Sequence, residues 1–259
     1  MLRAAPFLLA LLAATGPAHA GAWTQRQGEG LVIVNLSVSS ATERFDEQGR
    51  AVPDLQFEKI EARAYIEYGL RDWLTLTAQP EWRQKRRGTV AETSGLGRLD
   101  FGARARMWTS GGHVASVQAS LRAPGGSDDL PATDGADQRW EVDARALYGY
   151  GFRVWERNGF VDLQLGYRHR FGAPADEVRL DATAGFELRE GYQLIVQSFN
   201  ALGLGAGGDF LDDREHNVAL SGVWAITERW SVQTGAFTTV AGANALREFG
   251  YFGAIWFRF

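Results

Sequence analysis

The chain has 259 residues, 45% apolar and 22% charged, with 31 Gly against 7 Pro and no Cys. That composition excludes collagen-like, low-complexity and disordered classes, and the missing thiols exclude disulfide frameworks, thiolate metal sites and Cys nucleophiles. A net charge of −4 and a pI near 5.7 lack the basic surplus that phosphate binding needs, so no nucleic-acid partner is expected.

Residues 1–20 carry Arg3, an apolar run from Ala4 to Ala14, then Gly16, Pro17 and the small-x-small tripeptide Ala18, His19, Ala20. These are the three regions of a secretory signal peptide, and the apolar run is well short of the ~20 residues of a spanning helix. Cleavage after Ala20 leaves a mature chain, residues 21–259, whose net charge becomes −5 with the loss of Arg3. No later stretch approaches the ~18 apolar residues of a membrane helix, so any membrane crossing is by strands. Gly21 to Gly30, with Trp23, reads as a periplasmic tail or a partial plug.

From residue 30 onward, period-2 alternation recurs over segments of about ten residues, the length of a tilted membrane strand. Twelve segments follow in order: 30–39, 57–68, 73–84, 99–108, 113–122, 139–150, 160–170, 178–188, 192–200, 215–225, 230–240 and 248–259. In the second, Ile60, Ala62, Ala64, Ile66, Tyr68 and Leu70 oppose Lys59, Glu61, Arg63 and Glu67. In the sixth, Trp140, Val142, Ala144, Ala146, Tyr148 and Tyr150 oppose Arg139, Glu141, Asp143 and Arg145. The connections alternate in length. Tight joints at 69–72, 109–112, 152–159, 189–191 and 227–229 interleave with mostly longer ones at 40–56, 85–98, 123–138, 171–177, 201–214 and 241–247. Short turns on one side and long loops on the other are the pattern of an outer-membrane barrel, and an even strand count returns both termini to the short-turn, periplasmic side.

Aromatic residues cluster near strand ends. Tyr68, Tyr148, Tyr150, Phe186, Tyr192, Trp224, Trp230 and Phe257 lie beside the short turns, and Trp82, Trp140, Tyr167, Phe249 and Tyr251 lie nearer the long loops, which suggests two interfacial belts. The chain closes on an amphipathic strand, Phe249 to Phe259, that ends in an aromatic carboxylate. In these features the mature chain resembles proteobacterial outer-membrane β-barrels. That resemblance implies recognition of the last strand, through Phe259, by the barrel-assembly machinery. Gly95 to Arg104 also resembles the GLGD-type strand opening of porin-like barrels grouped with phenol meta-pathway outer-membrane proteins, with Arg98 where those have Asp. The expected fold is therefore all-β: a single transmembrane antiparallel β-barrel of about twelve strands in the outer membrane of a Gram-negative bacterium, reached after export to the periplasm.

If the polar faces line one lumen, the pore-lining residues are Lys59, Glu61, Arg63, Glu81, Arg104, Arg106, Arg122, Arg139, Glu141, Asp143, Arg145, Asp162, Arg168, Arg170, Arg179 and Asp181. With Arg83, Arg258, Glu67, Asp100, Glu187, Glu215 and Glu248, which alternation also turns inward, the signs nearly balance, and the forked guanidinium suits cross-strand pairing that narrows the bore. The expected function is a narrow charge-lined pore or transporter for small polar or ionic solutes, with Arg104, Arg106, Arg122, Arg139, Arg145, Arg168 and Arg170 setting selectivity. No catalytic motif, metal site or cofactor is expected, and the chain reads as a non-enzyme. Two alternatives remain: a non-conducting structural or interaction barrel, and an outer-membrane lipid hydrolase using Ser198, His216 and Asn200 on adjoining strands. Asp128, Asp129, Asp134 and Asp137, like Asp209, Asp212 and Asp213, follow no EF-hand spacing and read as solvated loops. Arg83, Lys85, Arg86 and Arg87 form either a solvated rim or a contact for lipopolysaccharide phosphates; outer-membrane lipid is the expected surrounding in both cases.

Overall fold

The computed structural model describes residues 21–89, 92–125, 139–172, 175–205 and 213–259. Its strands are β1 (Gly30–Phe45), β2 (Ala51–Arg71), β3 (Leu74–Arg87), β4 (Thr93–Ser110), β5 (His113–Ala123), β6 (Glu141–Val154), β7 (Arg157–Arg170), β8 (Glu177–Arg189), β9 (Tyr192–Gly203), β10 (Arg214–Ala225), β11 (Trp230–Ala243) and β12 (Phe249–Arg258). Each strand pairs antiparallel with its sequence neighbours, and β1 pairs with β12 from Leu31 opposite Arg258 to Ser40 opposite Phe249. The sheet is thus a closed twelve-stranded barrel. Closure satisfies every ladder N–H and C=O that would otherwise face hydrocarbon.

The sequence alternation sorts side chains to opposite surfaces. On β6, Glu141, Asp143 and Leu147 are buried inside while Val142 and Tyr148 are exposed outside. The same inversion runs around the wall: Val34, Leu36 and Val38 of β1, Leu163 and Leu165 of β7, and Ile255 of β12 are all exposed. An apolar surface of that extent is stable only when lipid covers it. Tyr68, Trp224 and Trp230 beside the short turns, with Trp140, Tyr167, Phe249 and Tyr251 at the opposite end, lie on the same outer surface.

Five tight connections sit where the sequence places them, but one expected loop does not form. Residues 40–56 are not an open connection, because β1 continues to Phe45 and β2 begins at Ala51. Asp46 closes the hairpin, its Oδ1 accepting the amides of Gln48 at 3.0 Å and Arg50 at 2.8 Å. The Arg50 amide, helped by the Arg50 guanidinium, holds the Asp46 carboxyl below the usual carboxylate range. One feature hides this arm from the alternation: a register shift between Ala41 and Glu43 swaps the faces, so that Phe45 is buried on it out of step with the strand below. At about 3.3 Å per residue the 21 residues of β2 far exceed a bilayer crossing, and the extended β1–β2 hairpin is met by the β11–β12 connection, whose Ala245 carbonyl accepts the Phe45 amide at 2.8 Å.

Inside, the short-turn end is packed. Leu31, Ile195, Val223, Ala254 and Trp256 form one buried cluster with Ile33 against it; Ala22, Val114 and Leu147 form another with Trp23. The Trp256 Nε1 donates to Gln233 Oε1 at 3.0 Å. Trp256→Ala should destabilise the barrel by about 3–5 kcal/mol in urea unfolding, because it opens a cavity and takes the indole donor from Gln233 Oε1. Tyr251→Ala on the outer surface should cost less than half as much; equal losses would contradict the inward placement of Trp256.

Candidate functional site

The inner wall has two chemically different halves. From β2 to β8 it carries arginine–carboxylate clusters. Arg63 pairs with Glu61 and Glu81, both at 2.7 Å, and Arg83 reaches Glu81 at 2.9 Å. Arg122 holds Asp100 through two nitrogens at 2.5 and 2.7 Å, and Glu141 at 3.1 Å. Arg168 bridges Asp143 at 3.1 Å and Glu177 at 3.2 Å, while Arg145 bridges Asp143 at 2.7 Å and Asp181 at 2.8 Å. Arg170 and Arg179 complete the belt at Glu177. In a confined bore, unpaired charge would be costly, and planar guanidinium groups spanning adjacent strands remove that cost while narrowing the passage.

The other half, from β9 to β12 and β1, is largely apolar and amide. Phe199, Phe237 and Phe252 project inward at mid-height and are partly exposed to the bore. Two of these rings lie flat on glycines of neighbouring strands: a Cβ on Gly250 would come within 2.6 Å of the Phe237 ring, and one on Gly235 within 2.7 Å of the Phe252 ring. Glycine at these positions lets the rings lie against the wall instead of filling the channel.

Residues 21–29 fold into the short-turn end. The Ala22 amide donates to Asp162 Oδ2 at 2.6 Å, and Ser116 Oγ donates to the Ala22 carbonyl at 2.5 Å. Trp23 meets Phe160 edge to face at 6.0 Å and covers Gly149, where a Cβ would lie 2.6 Å from the indole. The Gln25 amide donates to Thr75 Oγ1 at 2.8 Å, and Gln25 Nε2 donates to Glu67 Oε2 at 2.6 Å. Farther along, Gly28 donates to the Gly69 carbonyl at 2.9 Å. Of the two sequence readings of this segment, a tail or a plug, its inward course matches the plug.

Arg104 joins the tail to the wall. Its Nη1 donates to Glu67 Oε1 at 2.8 Å and to the Trp23 carbonyl at 2.9 Å; Nη2 donates to the Tyr65 hydroxyl at 2.8 Å and Nε to Gln118 Oε1 at 3.0 Å. The Tyr65 hydroxyl donates in turn to Glu67. Both Arg104 and Glu67 are essentially inaccessible to solvent, at 2% and 0% exposure. At the long-loop end the bore widens into a vestibule of about 610 Å³ lined by Lys59, Glu61, Arg83, Lys85, Arg87 and Glu248 among others. There Lys59 pairs with Glu248 at 3.1 Å and Arg87 with Asp54 at 2.8 Å.

Most residues singled out from alternation therefore meet on one inner surface: Lys59, Glu61, Arg63, Glu81, Arg104, Arg122, Glu141, Asp143, Arg145, Asp162, Arg168, Arg170, Arg179 and Asp181. Two lie at the ends of that surface. Arg106, opposite the buried Ser116, sits beside a register shift near the short-turn end of β4, and Arg139 precedes β6 and lies over Gly172 in the β7–β8 connection. The basic run of β3 divides, because Arg83, Lys85 and Arg87 line the vestibule while Arg86 points outward and pairs with Glu58. It is not a single outer patch. The acidic cluster from Asp128 to Asp137, with Asp209 and Asp212, lies outside the described residues. Among the described residues, no group of three His, Cys, Asp or Glu is placed to hold a metal ion.

The hydrolase arrangement does not assemble. Asn200 stands between the other two residues, its Nδ2 donating to Ser198 Oγ at 3.1 Å and its Oδ1 bonded to the His216 ring. Register explains the order: His216 lies opposite Asn200, whereas Ser198 lies opposite Val218. Acyl transfer needs the base beside the nucleophile, and here an amide separates them. Sequence reasoning left Glu67, Tyr65, Gln118, Thr75 and Ser116 without a role beyond facing inward. Their role is to hold the tail, and nothing in the alternation identifies a partner that distant in sequence.

A family profile described as "Putative MetA-pathway of phenol degradation" matches residues 59–259. Among solved structures, a COG4313 outer membrane channel from Pseudomonas putida F1 superposes with a TM-score of 0.76 at 18% identity, over 93% of this chain and 99% of that one. The KdgM porin aligns at a TM-score of 0.52 and 11% identity, covering 86% of this chain and 98% of its own. The NanC porin aligns at 0.50 and 7%, with the same coverage. At these identities the likeness is one of fold. No curated protein matches the sequence.

Removing one member of the Arg104–Glu67 pair leaves a buried charge without its counterion. Arg104→Ala should cost about 3–5 kcal/mol in urea unfolding, and the double variant Arg104→Met, Glu67→Leu should cost clearly less than the single one. Additive losses would show that the two side chains act independently.

Proposed function

This chain belongs to the phenol-degradation MetA-pathway family, and we propose that it works as a narrow, charge-lined outer-membrane pore for small polar or ionic solutes. The observation that carries this reading is the inverted barrel: apolar outside, with a polar bore that opens into a vestibule at one end and holds its own N-terminal tail at the other. The names of its structural relatives, an outer membrane channel and two porins, support it. Residues 1–20 direct export and are then removed, both termini face the periplasm, and the long-loop vestibule is the outer mouth. The barrel-assembly machinery reads the last strand through Phe259, and outer-membrane lipid with its lipopolysaccharide covers the wall.

The two-sided bore narrows the range of solutes. A solute sliding between the phenylalanines of β9 to β12 and the guanidinium–carboxylate wall finds an apolar face and a polar face together, which favours small molecules that carry both. The tail closes the periplasmic end, so passage requires that it shift.

Planar-bilayer recording tests the reading directly. Full mature protein should give small or intermittent conductance steps, and protein lacking residues 21–28 should give larger and steadier ones. Silence from both folded proteins would end the pore reading in favour of a structural barrel. Replacing Arg63 and Arg122 by Ser leaves Glu61, Glu81, Asp100 and Glu141 in excess, so the reversal potential in a salt gradient should move towards cation preference. An unchanged potential would remove these arginines from any role in selectivity.

A further inference from the structure

We infer that Asp162 is the receptor for the α-ammonium group that leader cleavage exposes on Gly21, so that only a correctly processed chain seats its tail. Asp162 of β7 is 1% exposed. Its carboxylate accepts the Ala22 amide at 2.6 Å and Gln164 Nε2 at 2.7 Å. Glu67, Glu141, Asp143 and Asp181 each have an arginine within ion-pair distance. Among the described residues Asp162 has none. Arg104, whose field reaches it, directs its own donors to Glu67, Tyr65, Gln118 and Trp23. A buried carboxylate held by two neutral donors still lacks a cation, and a low-dielectric site makes that lack costly.

Gly21 is where the cation would be. A Cβ built on it would lie 2.5 Å from the Asp162 Cγ and 2.8 Å from Oδ1. The carboxylate therefore presses against the Gly21 Cα, one bond from the nitrogen, and only glycine fits. Hydrolysis of the Ala20–Gly21 bond by a leader peptidase consumes one water. The acyl half leaves as the Ala20 carboxylate, and the released Gly21 amine, with an ordinary pKa of about 7.7–8.0, is largely protonated at neutral pH. Sequence and structure meet at this residue independently: the small-x-small tripeptide ends at Ala20, and the glycine that meets the buried acid is residue 21. The pairing stands apart from the pore reading, since it holds whether or not the barrel conducts.

The test uses protein expressed with its own leader and isolated folded from the membrane. Intact mass should show a chain beginning at Gly21. The folded barrel is treated with an amine-acylating ester, and modification of the Gly21 amine is compared by peptide mass spectrometry with that of Lys85, one of only two lysines in the chain. In the native protein the Gly21 amine should be strongly protected. In Asp162→Asn, and separately in Gly21→Ala, which alters only the tail, its modification should rise about tenfold, the factor that corresponds to about 1.4 kcal/mol. A mass that begins elsewhere overturns the inference. So does a native amine as reactive as in either variant, or protection that survives in Asp162→Asn.

Discussion

A strand in hydrocarbon has no water to satisfy its N–H and C=O groups, and the pairing of β1 with β12 removes the last two edges of this sheet. The rest of the molecule follows from that closure. Once the ring is shut, alternate residues must face either lipid or a confined interior, and the outer set is apolar. The inner set is forced into its own bargain, because charges brought together in a narrow bore must find one another. Arg122 with Asp100 and Glu141, and Arg168 with Asp143 and Glu177, are the local solutions. Arginine serves because its planar fork reaches carboxylates on two strands at once.

The fold was legible because its signal is local. Alternation along Phe57 to Leu70 or Trp140 to Tyr150 requires no knowledge of partners, and the tight turns repeat at intervals that fix the strand order. Legibility fails where the two faces cease to differ. Along the β1–β2 arm the shift at Ala41 to Glu43 exchanges the two sides, and Phe45 alone marks the buried one, so the arm reads as a loop. The inner charges were legible as a set but not as pairs, because pairing depends on register. The same limit governs Ser198, Asn200 and His216: all three share the outer surface, but register places the amide in the middle. Gly21 to Glu29 carries no periodicity at all, and its course depends on contacts with residues up to 140 positions away.

The interior is therefore not a uniform polar tube. An arginine–carboxylate wall on β2 to β8 faces phenylalanines on β9 to β12, and glycines at 235 and 250 keep two of those rings flat. Two apolar clusters fill the short-turn end, one made wholly from the wall and one completed by Ala22 and Trp23 of the tail. Stability and obstruction thus share the same residues on the tail's side of the bore, since the contacts that bury Trp23 also narrow the passage.

The anchors of that tail are spread unusually widely. Glu67 comes from β2, Thr75 from β3, Arg104 from β4, Ser116 from β5 and Asp162 from β7. On a flat or half-curled sheet the outermost of these groups would stand about 24 Å apart, at about 4.8 Å per strand over five strands. Residues 22 to 25 precede every strand in the chain, yet they have no binding site until the later strands have been laid down and the sheet has curled. A docked tail is in that sense a record that assembly is finished.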